Sequence, residues 1–188
     1  MHYLFLAEGF EETEALCPLD LMRRAGLNVT TIGIGGRTVR GAHGITVLAD
    51  APDSDFDKLC ANDPPESVVL PGGMPGTKHL GESAVVARAL ALADRSGAYL
   101  CAICAAPSVL GQQGYLKGRK ATCFPGFENQ LNCGEILADK VVVDGKVITA
   151  AGMGVALQFG LAIVAAFRGE FTANRIHKDI QAESNVRS

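Results

Sequence analysis

No stretch of this 188-residue chain is basic enough to form a nucleic-acid footprint, and the formal net charge is -3. Nucleic-acid binding is therefore excluded as a default reading. There is no long apolar run. The longest, Val155 to Phe167, is interrupted by Gln158 and Gly160; it is too short to cross a bilayer and reads as a buried helix. Met1 to Ala7 runs straight into acidic residues, with no charged leader region and no cleavage-type site, so no secretory signal is expected. No Walker-type lysine loop is present, which argues against a kinase. His2, His79 and His177 do not fall into a ligand spacing, so no metal is expected, and no motif asks for a cofactor. Repeats, linkers and low-complexity tracts are missing too, and residues 1–188 read as one α/β domain.

What is there is apolar. Hydrophobic residues make up 48% of the chain, enough for a sizeable core. The six cysteines, at positions 17, 60, 101, 104, 123 and 133, form an even set that would permit disulfides. Several are embedded in apolar runs, and a chain of this size needs no covalent staples. A reduced, cytoplasmic protein is expected.

Apolar runs alternate with helical patterns. His2 to Ala7 reads as a buried strand, and Glu11 to Ala25 as a helix with Ala15, Leu16, Leu19 and Met22 along one stripe. Leu27 to Ile34, Ile45 to Leu48, Ser67 to Leu70 and Ala98 to Ile103 read as further strands. Ala84 to Arg95, Pro107 to Gly114, Gly154 to Phe167 and Phe171 to Ile180 read as helices. Lys140 to Thr149 has the pattern of a hairpin turning at Asp144-Gly145. Asp50 to Pro65 is acidic and proline-bearing and reads as a surface crossing. Such alternation predicts a mostly parallel sheet with helices on both faces.

In sheets of this kind ligands bind beyond the carboxyl ends of the strands. Three chemistry-bearing segments fall there: Glu8 to Glu14, Pro71 to Gly76, and Cys104. The run Tyr99-Leu100-Cys101-Ala102-Ile103-Cys104-Ala105-Ala106-Pro107 passes from strand to helix at Cys104. A helix start supplies unpaired N–H groups and a dipole that favour a thiolate. An acid from Glu11, Glu12 or Glu14 beside that thiol would leave the pair sharing one proton. Gly72 and Gly73 let backbone N–H groups approach a ligand closely, and with the Ala105 N–H they would make an oxyanion site. Each feature also has a plain structural explanation: a packing cysteine, a dipole complement, a turn. Cys101 and Cys104 have a C-x-x-C spacing, but Cys101 belongs inside the strand, which argues against a redox dithiol.

At these residues the sequence resembles the ThiJ/PfpI superfamily, in the branch that includes the Parkinson-disease-associated protein deglycase and its bacterial relatives. The matching pieces are Glu8-Gly9-Phe10-Glu11-Glu12-Thr13-Glu14, Asp20-Leu21-Met22-Arg23-Arg24-Ala25-Gly26, Val68-Val69-Leu70-Pro71-Gly72-Gly73, Ala102-Ile103-Cys104-Ala105-Ala106-Pro107 and Phe159-Gly160-Leu161-Ala162-Ile163-Val164. The resemblance implies a flavodoxin-like sandwich that pairs as a homodimer. It implies Cys104 as nucleophile at a strained elbow, Glu14 as its protonated partner, and Gly72, Gly73 and Ala105 lining the site. His43 falls where relatives carry Arg or His near the pocket rim, and would touch an anionic ligand.

The resemblance implies an activity of the glyoxalase III or protein deglycase kind, a hydro-lyase or hydrolase acting on a small aldehyde or a glycated substrate. A second class stays open: an oxidative-stress sensor or redox-linked chaperone in which Cys104 is oxidised and Glu14 holds the product by hydrogen bonding. Two departures bear on the choice. Phe124, in Thr122-Cys123-Phe124-Pro125, stands where the best-known members have a histidine. Ala105 stands where peptidase-like members have another. A Cys-His protease is therefore not expected.

Overall fold

The computed structural model describes residues 1–182. Its centre is a seven-stranded sheet in the order β10-β11-β7-β6-β1-β2-β5. The strands are β1 (His2–Leu6), β2 (Val29–Gly33), β5 (Ala51–Pro52), β6 (Ser67–Leu70), β7 (Tyr99–Ile103), β10 (Val141–Asp144) and β11 (Val147–Ala150). All neighbours are parallel except β10 and β11, which form the expected hairpin, with its turn at Gly145-Lys146 rather than Asp144-Gly145 because Asp144 pairs with Val147. Two small ribbons lie outside it: β3 (Thr38–Arg40) with β4 (Thr46–Leu48), and β8 (Lys120–Ala121) with β9 (Glu135–Ile136).

The side-chain alternation of a strand builds two cores from one sheet. Tyr3, Phe5, Val68, Leu70, Leu100 and Ala102 face one way. They pack beneath α2 (Phe56–Asn62), α4 (Ala84–Ser96) and α5 (Pro107–Gln112), through residues such as Phe56, Leu90 and Leu110. Leu4, Leu6, Val69, Cys101 and Ile103 face the other way, beneath Ala15 and Met22 of α1 (Glu12–Arg24) and Phe159 and Ile163 of α6 (Ala156–Asp179). The fold is thus α/β, with a mostly parallel sheet between two helical layers. A further short helix, α3 (Gly76–Glu82), follows β6.

Gly160 sets how closely α1 and α6 approach. A Cβ there would stand 2.6 Å from Leu21 Cδ1 and 2.8 Å from the Pro18 Cα. At Gly169 the backbone leaves the helical region (φ 80, ψ 159) and divides α6 into two pieces. These correspond to the two helices expected there, and each is shorter than the roughly 20 residues a spanning helix needs.

Two stretches depart from the expected pattern. The Asp50 to Pro65 crossing contains a short strand, a 3-10 turn (Asp53–Asp55) and α2, anchored by the fully buried Phe56. Gly76 to Glu82, which carries glycine at positions 76 and 81, is the helix α3. Both helices have seven residues, about two turns, too short for a 3.6-residue stripe to stand out.

Chain order reverses between β1 and β6: the chain runs outward through β2 on one side and through β7 and β11 on the other. That reversal opens a crevice beyond the carboxyl ends of β1, β6 and β7.

Candidate active site

Cys104 follows β7 directly and has φ +65, a left-handed conformation that costs a non-glycine residue about 1–2 kcal/mol. Surrounding hydrogen bonds enforce it. The Cys104 N–H donates to the Ala150 carbonyl at 2.8 Å, and the Phe124 N–H donates to the Cys104 carbonyl at 2.8 Å. The Ala106 N–H turns back to the Ile103 carbonyl at 3.1 Å, and the Ser108 hydroxyl donates to the Ala105 carbonyl at 2.7 Å. Pro107 then opens α5. The result is a sharp strand-to-helix elbow with a half-buried thiol at its tip.

Glu14 reaches the same point from the first turn of α1. Glu11 caps that helix, its carboxylate accepting the Glu14 N–H at 2.6 Å. The Glu14 side chain is 1% exposed. Its Oε2 accepts the Gly72 N–H at 2.9 Å, while Oε1 is buried with no hydrogen-bond partner among the described residues. A Cβ on Gly72 would lie 2.5 Å from Glu14 Oε2 and 2.6 Å from the Cys104 Cβ. The acid and the cysteine therefore converge on a backbone position where only glycine fits.

Gly73, at φ +89, is packed as tightly: a Cβ there would meet the Glu11 nitrogen at 2.3 Å. The Glu11 N–H also donates to the Gly72 carbonyl at 2.9 Å, tying the loops after β1 and β6 together. The N–H groups of Gly73 and Ala105 face the Cys104 sulfur. Of the three donors expected from sequence, two reach the sulfur, and the third, Gly72, is taken by Glu14.

Burial pushes the Glu14 carboxyl up to about 7; the nearby Glu11 charge adds to this, and hydrogen bonds accepted from the Cys104 thiol and the Gly72 N–H oppose it. Burial also pushes the Cys104 thiol up, to about 12, reinforced by the Glu14 charge and hydrogen bond and opposed by the Ala105 and Gly73 N–H groups. The helix start does not give the depressed thiol expected from sequence. Its contribution is outweighed by burial and by an ionised neighbour, on a helix of only six residues. A proton on Glu14 would remove one of the causes that oppose a thiolate, the Glu14 charge, while burial, the largest of them, would still act against it.

His43 lies apart from this pair. Its ring Nδ1 is 2.9 Å from Glu12 Oε2 and its backbone N–H donates to Glu12 Oε1 at 2.8 Å. It is exposed on the loop between β3 and β4, and the Glu12 interaction raises its basicity. Glu11, Glu12 and His43 each offer a ligand atom within 4.8 Å of the others, a grouping that histidine spacing alone did not reveal. Glu12 is already satisfied there by His43 and the Ile45 N–H. Phe124, the departure from the family pattern, is 47% exposed beside the elbow. Cys101 is fully buried in β7, and all six cysteines are free thiols.

A parallel α/β sandwich with a cysteine on a strained elbow and a buried acid beside it defines a class of cysteine-centred α/β proteins. The DJ-1/PfpI family model matches residues 2–166, and the chain belongs to that family. Protein dj-1beta of Drosophila melanogaster is 36% identical over 185 residues, covering 97% of each chain. The glutathione-independent glyoxalase DJR-1.2 of Caenorhabditis elegans is 32% identical over 175 residues, covering 92% of this chain and 91% of its own. Among solved structures, the oxidised form of Toxoplasma gondii DJ-1 superposes with a TM-score of 0.89 at 30% identity, covering 95% of this chain and 96% of that one.

Proposed function

We propose that this protein is a cysteine-dependent enzyme that converts small 2-oxoaldehydes to hydroxy acids. The observation that carries the reading is the convergence of Cys104 and Glu14 on Gly72, with one carboxyl oxygen left buried and unpartnered. A relative named as a glutathione-independent glyoxalase supports the same class.

The Cys104 thiolate adds to the aldehyde carbon, and the oxygen takes a proton to give a hemithioacetal. Glu14, as carboxylate, removes the proton from that carbon and returns it to the neighbouring one while the hydroxyl proton passes to the neighbouring oxygen, leaving a thioester of the hydroxy acid. Water cleaves the thioester and restores the thiol, so the net change is addition of one water to the oxoaldehyde. A carboxyl poised near neutrality suits both halves of this transfer. The N–H groups of Gly73 and Ala105 face the reacting sulfur, where they can steady charge on an adjacent oxygen. No histidine is required, which accommodates Phe124. The same addition extends to hemithioacetals and aminocarbinols formed on glycated thiols and amines. The reading takes the working form to be a cytoplasmic homodimer.

Hydroxy-acid formation from methylglyoxal, compared with the Cys104→Ser and Glu14→Gln variants, tests the proposal. Turnover lost in both variants is expected. Wild-type product no faster than in buffer would refute the enzyme and favour oxidation of Cys104 as its role.

A further inference from the structure

We propose that Glu11 is a positioning residue for the reaction at Cys104: it turns Glu14 toward the thiol, and its charge governs how readily Glu14 releases a proton. This rests on the carbonyl reading for its chemistry, while the arrangement itself is read from geometry.

Glu11 is the N-cap of α1, and Glu14 stands three residues further on. A glutamate at that place commonly folds back and accepts the N–H of the cap residue, closing a capping box. Here that N–H is already engaged: it donates to the Gly72 carbonyl at 2.9 Å. Gly72 in turn donates its own N–H to Glu14 Oε2 at 2.9 Å. Both backbone groups of one glycine therefore dock on the start of α1, and the second draws Glu14 across to the loop after β6. The Glu11 carboxylate completes the other half of the cap, accepting the Glu14 N–H at 2.6 Å. The main chain of Glu14 is held by Glu11 and its side chain by Gly72.

A cap alone needs no charge. Serine, threonine and asparagine accept the same N–H, and glutamate is not among the preferred cap residues. Glu11 brings a carboxylate, 14% exposed, beside the fully buried carboxyl of Glu14. A like charge held close disfavours ionisation of the buried group. The polar groups acting directly on the Cys104 thiol are Glu14 and the Ala105 and Gly73 N–H groups, so the Glu11 charge reaches the sulfur through Glu14.

The elements packed around this point add little charge. From the β3–β4 loop, His43 Nδ1 lies 3.9 Å from Glu11 Oε1, but its side chain is 71% exposed and bonded to Glu12, the third carboxylate of this turn. Solvent screens a charge so placed. The elbow after β7 contributes Cys104, and the loop after β6 contributes the backbone of Gly72.

The test follows two rates against pH: alkylation of Cys104 by iodoacetamide, read on the peptide that carries it, and turnover of methylglyoxal. Wild type is compared with Glu11→Gln, Glu11→Ala and Glu11→Asp. The coupled pair reacts once it has lost its first proton, so alkylation should rise with pH through that step. Glu11→Gln keeps an oxygen for the cap and removes the charge. Its midpoint should fall by roughly half a pH unit, with a plateau within about twofold of wild type. Glu11→Ala also releases Glu14, and its kcat should drop roughly tenfold with KM little changed. Glu11→Asp should keep both close to wild type. In a Glu14→Gln background, Glu11→Gln should leave the alkylation profile unmoved.

Equal midpoints in wild type, Glu11→Gln and Glu11→Ala, with only stability lowered, would make Glu11 a plain cap and overturn the proposal. A midpoint shift that persists in the Glu14→Gln background overturns it too. If wild type does not turn methylglyoxal over, the carbonyl reading fails, and the alkylation profiles alone decide the role of Glu11. Should Glu11→Ala fail to fold, Glu11→Gln, which retains the cap, carries the test.

Discussion

Replacing Glu14 by glutamine tests the buried acid directly, because it deletes one titration and keeps the shape. In the native protein this carboxyl titrates at about 7, against 4.5 for the same group in the open. The folded state therefore holds the proton more tightly than the unfolded chain, and stability falls as pH rises through that interval. Below about pH 4.5 both states are protonated and the group is neutral to stability. Above about pH 8 both are ionised and the full destabilisation is present. Moving a carboxyl from 4.5 to about 7 corresponds to about 3 kcal/mol. Glu14→Gln keeps an oxygen that accepts the Gly72 N–H and loses this pH dependence. Urea denaturation of both proteins at pH 5 and pH 8 is the assay. The variant should gain about 2–3 kcal/mol relative to wild type on going from pH 5 to pH 8, since a part of the effect is already present at pH 5. Parallel stability profiles for the two proteins would show that Glu14 ionises like a solvated carboxylate, and the shared-proton account would fall with it.

His2 should give the opposite slope. It is buried, with Nδ1 3.0 Å from the Ser67 hydroxyl, and burial lowers its pKa from 6.5 to about 4. The folded state resists protonation, so stability rises with pH across that window by about 3 kcal/mol; His2→Gln should flatten this part of the profile, and an unchanged slope would place the titration elsewhere. Cys104→Gly should be more stable than Cys104→Ala by about 1 kcal/mol, since glycine adopts φ +65 freely; equal thermal midpoints would deny strain at the elbow. Gly72→Ala should abolish Cys104 reactivity toward methylglyoxal, because the new methyl collides with both Glu14 and Cys104; retention of more than a tenth of wild-type turnover would refute the close approach. Gly160→Ala should destabilise by about 1–3 kcal/mol through the α1–α6 contact, measured by urea unfolding at constant pH.

Much of the sheet is legible in the chain because its strands are buried on both faces. Tyr3, Phe5, Leu4 and Leu6 are all apolar, and so are Val68, Val69 and Leu70, the pattern of a parallel strand between two helical layers. The hairpin is legible for a different reason, one residue out of register: the glycine of Asp144-Gly145 takes φ +59, but the two-residue turn is Gly145-Lys146, because Asp144 still pairs with Val147. Short elements are not. Thr38 to Arg40 becomes a strand only by pairing with Thr46 to Leu48, which no local pattern announces. At the site, sequence places Cys104, Glu14, Gly72 and Gly73 at strand ends. Position alone leaves open which of three glutamates meets the thiol, although the family resemblance implies Glu14. That is decided by helix phase: Glu11 is consumed as the cap, Glu12 turns to His43, and Glu14 points to Gly72. The sign of the thiol shift was not legible either, because it depends on burial and on a charge brought from Glu14, far away in the chain.

Several unfavourable features of this structure gather at one place. A left-handed cysteine, a fully buried carboxyl with one oxygen unpartnered, and a glycine at φ +89 with no space for a side chain all lie beyond the ends of β1, β6 and β7. The cysteine and the carboxyl cost about 1–3 kcal/mol each, and the glycine position admits no other residue. Packing that serves only stability would relax them one at a time, and glycine at position 104 or glutamine at position 14 would suffice. They persist together because each depends on the others: the Gly72 N–H holds Glu14, Glu14 faces Cys104, and the Gly73 and Ala105 N–H groups complete the surroundings of the sulfur. The two continuous cores on either side of the sheet supply the stability that lets such a cluster survive. Strain gathered in the crevice where the strand order reverses fits the proposed reactive site, and on that reading substitutions there should trade activity for stability while those at Gly160 lose both.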